Sequence, residues 1–163
     1  MTHSVMGAMH LFAALASILL GAAVIFLPKG HAAHRLLGLA YSFAMLTTCT
    51  SALLLYGMTG HFGLFHFFAL VCLTYVVMGV AQPILRRGDW VRRHLIWMGW
   101  SYLGLLAAAA TEVFIRLPGL THISDNQTFL LGGALGAAIA VLGWLLMPRW
   151  TRMALENMSA RRG

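Results

Sequence analysis

The chain has 163 residues, 60% of them hydrophobic and 9% charged, with a mean hydropathy of +0.81. Ordinary soluble domains carry roughly a quarter charged residues, so this composition excludes a soluble globular domain and points to an integral membrane protein. The net charge of +7 does not signal nucleic-acid binding, because ten of the eleven Lys and Arg residues lie in three segments flanking apolar runs. That is the distribution the positive-inside rule leaves, and anionic lipid headgroups account for the excess.

The first apolar span runs from Gly7 to Leu27 and stops at Pro28. His10, Ala14, Ser17 and Gly21 recur at helical spacing and form one stripe of small or polar groups, where another helix or a flat ligand can approach closely. No basic n-region or clear cleavage site precedes it, so it does not read as a removed signal peptide. A basic turn, Lys29 to Arg35, leads to a second span, Leu36 to Tyr56, with His34 at its entrance and Gly38, Tyr41 and Met45 on the same side. The hydroxyls of Thr47, Thr48, Thr50 and Ser51 can bond back to the preceding turn.

The third span, Leu64 to Gln82, carries His66 in its first turn and ends at Pro83. The loop Arg86–Arg93, with four arginines, is the most basic in the chain. The fourth span continues from it to Arg116 and is closed by Pro118. It holds His94 near one end and Glu112 near the other, 18 residues apart, which is five full helical turns and puts both on one face. A spanning helix that keeps its ionisable groups on one stripe turns that stripe away from lipid. Arg116 lies one turn beyond Glu112 and pairs with it. The fifth span, Thr128 to Met147, stops at Pro148 and carries Gly132 and Gly136 at GxxxG spacing, a pattern for close packing within the bundle or between copies as a homo-oligomer or with a protein partner.

These segments predict an all-α integral membrane protein of five transmembrane helices. Residues 1–148 form one bundle and 149–163 a basic tail. With the Lys29 turn, the Arg86–Arg93 loop and the tail in the cytoplasm, the N-terminus lies outside and the C-terminus inside. Cys49 and Cys72 both fall within apolar spans at similar depth, as small buried residues or as a redox pair. Trp90, Trp97, Trp100 and Trp150 cluster toward the basic end, where an interfacial aromatic belt is expected. No nucleophilic triad, phosphate loop or nucleotide-binding motif is present.

The first four spans carry one histidine each. Counting from the basic ends at ~1.5 Å per residue, His10 and His66 share an outer level, and His34 and His94 a cytoplasmic one. Two imidazoles facing each other from diagonal helices are what a haem held in a bundle requires. Two haem b groups, about 27 Å apart by helical rise, would carry electrons across the membrane. Interfacial hydrogen bonding by the same histidines is the plain alternative. A third reading places copper or zinc on the outer side, at His10, His66 and Glu112 with His3, Met6, Met9, Met58 and His61 nearby, since thioether and imidazole suit Cu(I) and imidazole with carboxylate suits zinc or Cu(II).

Leu27-Pro28-Lys29-Gly30 with His34-Arg35 and Gly38, Gly60-His61-Phe62-Gly63 with Phe65-His66, and His94 with Trp97-Met98 and Ser101-Tyr102 resemble a family of bacterial predicted integral membrane proteins of unknown function. The resemblance covers roughly the first four spans and implies a multi-pass protein of a bacterial inner membrane, with no established activity. The layout of His10, His34, His66 and His94 is also similar to that of the dihaem cytochromes b of the ascorbate-reducible type, which implies transmembrane electron transfer.

Overall fold

In the computed structural model the described residues are 5–55, 62–116 and 125–160, less the side chains of 64, 125, 126, 128 and 129. They form five helices, α1 (Val5–Phe26), α2 (Ala32–Leu54), α3 (Leu64–Leu85), α4 (Trp90–Phe114) and α5 (Asp125–Ala160), and no strands. His3, Met58, His61, Pro118 and His122 lie outside the described residues. α1, α2, α3 from Phe65 and α5 from Leu130 are long and apolar enough to cross a membrane. α4, at 25 residues, has the length, but Trp97, Ser101, Tyr102 and Glu112 dilute its apolar content.

Sequential helices pack side by side and α1 also meets α4, so α1 to α4 close into a four-helix ring with α5 added against α4. The contacts set the register. His10 lies against Thr48 and Ser51, which makes α1 and α2 antiparallel neighbours, and Thr111 lies against Gly132, which does the same for α4 and α5. Helices α1/α3 and α2/α4 are therefore the diagonals of the ring. α4 is the covered helix: no residue from His94 to Glu112 is fully exposed. The chain puts the one described helix that lacks a long apolar run where others shield it, which is how a membrane tolerates polar groups.

The interior is more polar than the exterior, the reverse of a soluble protein. Ser17, Ser42, Thr48, Ser51, Ser101 and Thr111 are buried, while Phe12, Leu19, Phe43, Phe67 and Trp144 face outward. Tyr41, Met45, Cys49, Cys72, Val76 and Leu105 make up the buried apolar cluster between the two ends of the ring. Both cysteines are free thiols within it. In lipid, helices gain little from apolar contact alone, and close packing and interhelical hydrogen bonds hold them together. α4 supplies most of these bonds. Tyr102 Oη donates to Ile18 O of α1 at 3.1 Å, Ser101 Oγ and Tyr41 Oη of α2 are 2.8 Å apart, His94 Nδ1 donates to Gly79 O of α3 at 2.8 Å, and Thr111 Oγ1 donates to Gly132 O of α5 at 3.0 Å.

Two helix ends differ from the sequence expectation. α3 continues past Pro83 to Leu85, and α5 continues through Pro148 to Ala160. A proline in a helix interior costs about 3 kcal/mol or more in an isolated helix, and packing compensates here. The buried stripe of α5, Gly132, Gly136, Gly143, Met147 and Thr151, runs on past Pro148 in one line, with Met147 and Trp150 seated over Gly99 of α4. Gly132 faces Thr111 of α4 and Ile115 just beyond its end, and Gly136 faces Thr111 and Phe68 of α3, so the GxxxG face is occupied within the chain.

Candidate functional site

Titratable groups collect at the two ends of the ring. At the basic end, the turn between α1 and α2 is made by Pro28, Lys29 and Gly30, whose φ of +85° is a left-handed conformation open to glycine at no cost. Lys29 folds back onto the C-terminus of α1. Its Nζ donates to Val24 O at 2.9 Å, Ile25 O at 2.6 Å and Leu27 O at 3.2 Å, a charge on the negative end of the helix dipole. Burial pushes the Lys29 amine below the ordinary lysine range, and the three carbonyls give its protons partners.

His34, at the start of α2, lies against the Val24 carbonyl and within Coulombic reach of Lys29 and His94. Its Nδ1 is buried with no hydrogen-bond partner among the described residues. Gly38, one turn on, has open space where a side chain would be. His94 comes from α4, the diagonal helix. Because a carbonyl can only accept, the Gly79 contact places the His94 proton on Nδ1 and leaves Nε2 as the lone-pair atom. The structure thus brings His34 and His94 to one end on opposite helices, as their sequence positions suggest. Trp97 and Trp100, expected in an interfacial belt, pack on Tyr75 of α3 with ring centroids 5.7 and 6.3 Å apart. They wall the α3–α4 contact next to His94. A cleft of about 270 Å³ opens beside Lys29, between the end of α1 and Trp150, Met153 and Asn157 of α5.

The opposite end is arranged differently. His10 Nδ1 lies 3.1 Å from Thr48 O and 3.0 Å from Ser51 Oγ, so it donates to α2 and its Nε2 carries the lone pair. Glu112 lies within Coulombic reach of His10 and forms an ion pair with Arg116 one turn away, the pairing expected from the sequence. His66, 4% exposed, caps α3: the Gly63 N–H donates to His66 Nδ1 at 3.2 Å and the His66 N–H donates to Gly63 O at 3.1 Å. Its Nδ1 is an acceptor, so a neutral His66 carries its proton on Nε2, the opposite tautomer from His10 and His94. Its ring also packs on Phe62 at 5.2 Å. Among the described residues no group of three or more His, Cys, Asp or Glu side chains gathers as a metal site, and His10, His66 and Glu112 do not form one.

Between the ends stands a feature that sequence reading passed over, the buried hydroxyl seam of α1, α2 and α4. Ser17, at 0% exposure, donates to Ala13 O at 2.8 Å and lies 3.4 Å from Thr48 Oγ1. Tyr41 and Tyr102 meet edge to face at 6.3 Å, with Gly21 of α1 against both rings. The signal was present in the stripe His10, Ser17, Gly21, but its partners on α2 and α4 are separated from it by tens of residues.

No curated protein and no solved structure matches the chain. The family resemblance is borne out over nearly all of the ring and most of α5: the chain belongs to the family described as "Predicted membrane protein (DUF2306)", whose profile matches residues 7–149.

Proposed function

We propose that this protein is a five-span redox protein of the bacterial inner membrane that holds a b-type haem at its basic, cytoplasmic end between His34 and His94. The observation that carries the reading is the pairing itself. Two imidazoles from the diagonal helices α2 and α4 share one end of the ring. One presents Nε2 because its Nδ1 proton is committed to a carbonyl, and the other has a buried nitrogen with no hydrogen-bond partner among the described residues. The space beside Gly38 supports room for a flat ligand. Iron held there would exchange single electrons. The protein's own part is to bind through His34 and His94 and to orient the His94 ring through Gly79.

The second layer, His10 with His66, has less support, because His66 would have to release its capping bond to serve as a ligand. The reading therefore centres on one layer. It is tested by a dithionite-reduced minus oxidised spectrum of protein purified from haem-replete cells. An α-band is expected that His34→Ala and His94→Ala each abolish, and haem should appear in a pyridine extract. A colourless protein with an empty extract overturns it.

One observation favours a second reading, a non-enzymatic subunit of a larger complex. α5 joins the ring chiefly through α4 and turns Leu130, Val141, Leu142 and Trp144 outward, a face a partner helix can cover. Co-purification of a stoichiometric partner with a colourless protein would decide for it. Copper or zinc in elemental analysis, lost in His10→Ala and retained in His34→Ala, would decide for an outer-side metal site instead.

A further inference from the structure

Two carbonyls at the basic end lack their helical donors for the same reason. Val24 is followed four residues later by Pro28, and Gly79 by Pro83, and a proline nitrogen has no hydrogen to donate. Each carbonyl is met by a basic side chain of the cluster. Lys29 Nζ donates to Val24 O, with the His34 ring against the same atom, and His94 Nδ1 donates to Gly79 O.

We propose that Pro83 is a positioning residue for His94: by withholding its N–H from Gly79, it keeps that carbonyl open to the imidazole, which fixes the His94 proton on Nδ1 and presents Nε2 away from α3. The inference rests on His94 as the ligand for its redox consequence, but the hydrogen bond and the tautomer stand without it. With an ordinary residue at 83, the backbone N–H competes for Gly79 O inside the helix, and local helical geometry favours it over a side chain from α4. The ring then loses the contact that selects one tautomer and one orientation. A ring held by its second nitrogen is the arrangement that keeps a metal-binding imidazole aimed and basic. Gly79 contributes shape as well, because a Cβ there would collide with Met98 of α4, so α3 and α4 approach closely enough for the bond.

The test compares Pro83→Ala with wild type in the full chain, using ¹⁵N-histidine NMR in detergent with the His94 signals assigned through His94→Asn. Wild type should show His94 as the single Nδ1–H tautomer, and Pro83→Ala should show a mixture with thermal stability unchanged or raised. In haem-loaded protein the same substitution should shift the low-spin EPR g-values. An unaltered single tautomer in a folded Pro83→Ala protein overturns the inference. Should that variant not fold, the His94 series decides. His94→Asn retains an N–H donor for Gly79 and should melt with wild type, while His94→Ala should melt about 1–2 °C lower, the loss of one interhelical hydrogen bond in a membrane chain of this size. Equal melting of Ala and Asn variants overturns it too. A colourless wild type with the tautomer result intact sinks the redox reading alone and leaves the positioning role standing.

Discussion

At the scale of single residues, the bare backbone of Gly21 and the two tyrosine rings against it control how closely α1, α2 and α4 approach. A Cβ on Gly21 would overlap the Tyr102 ring and press on Tyr41 Cε2 at 2.9 Å. Both rings are tied down, Tyr102 to Ile18 O and Tyr41 to Ser101, so neither can swing aside without losing a hydrogen bond. Gly21→Ala should therefore overpack the seam by about 1–3 kcal/mol and lower the melting temperature in detergent. Tyr41→Phe should be milder. It removes one interhelical bond worth about 0.6 kcal/mol on average in a membrane protein, and Ser101 Oγ keeps Met98 O as a partner at 2.8 Å. An equal loss in the two variants would mean that packing at Gly21 is not the tighter constraint.

At the scale of the element, α5 shows how a helix can override the local signal that ought to end it. Pro148 leaves the Trp144 carbonyl without its helical donor, and Pro83 does the same to Gly79. In both helices neighbouring packing makes up what the ladder loses. For α5 that packing is one narrow buried line against α4, so the two faces of the helix should respond differently to substitution. Gly132→Leu, which collides with Thr111 and Ile115, should lower thermal stability by several degrees. Leu142→Ala on the outward face should stay within about 0.5 kcal/mol of wild type. If Gly132→Leu instead left stability intact but broke a dimer seen by cross-linking, the face would be serving a second copy.

At the scale of the whole molecule, the ring gathers basic groups at one end and leaves Glu112 with its Arg116 partner at the other. That asymmetry supports an orientation with the Arg86–Arg93 loop in the cytoplasm. Asp89→Cys should accordingly resist a membrane-impermeant maleimide in intact cells and label only after permeabilisation. Cys49 and Cys72, buried in the apolar cluster, should remain silent in both conditions. Labelling of Asp89→Cys in intact cells would invert the topology and place the His34/His94 end outside.

The sequence by itself determined the class, the number of helices and which stripe of α1, α2 and α5 turns inward. Hydropathy reports the cost of leaving a residue in water, and helical spacing reports which residues share a face. Ser17 and Gly21, Tyr41 and Met45, Gly132 and Gly136 all lie on the buried sides those stripes foretold. That His34 and His94 stand at the same end of the ring was legible as well, because depth follows from counting residues along a straight helix. Only the tertiary structure decided which atom each imidazole uses. His10 bonds Thr48 and Ser51, His66 caps its own helix and His94 takes the carbonyl that Pro83 leaves open. A hydrogen bond depends on the rotation and approach of two helices to within a few tenths of an ångström, and no periodicity in a single chain encodes that. The persistence of α3 and α5 through their prolines has the same origin, since the compensating contacts come from α4, a neighbour that neither local sequence contains.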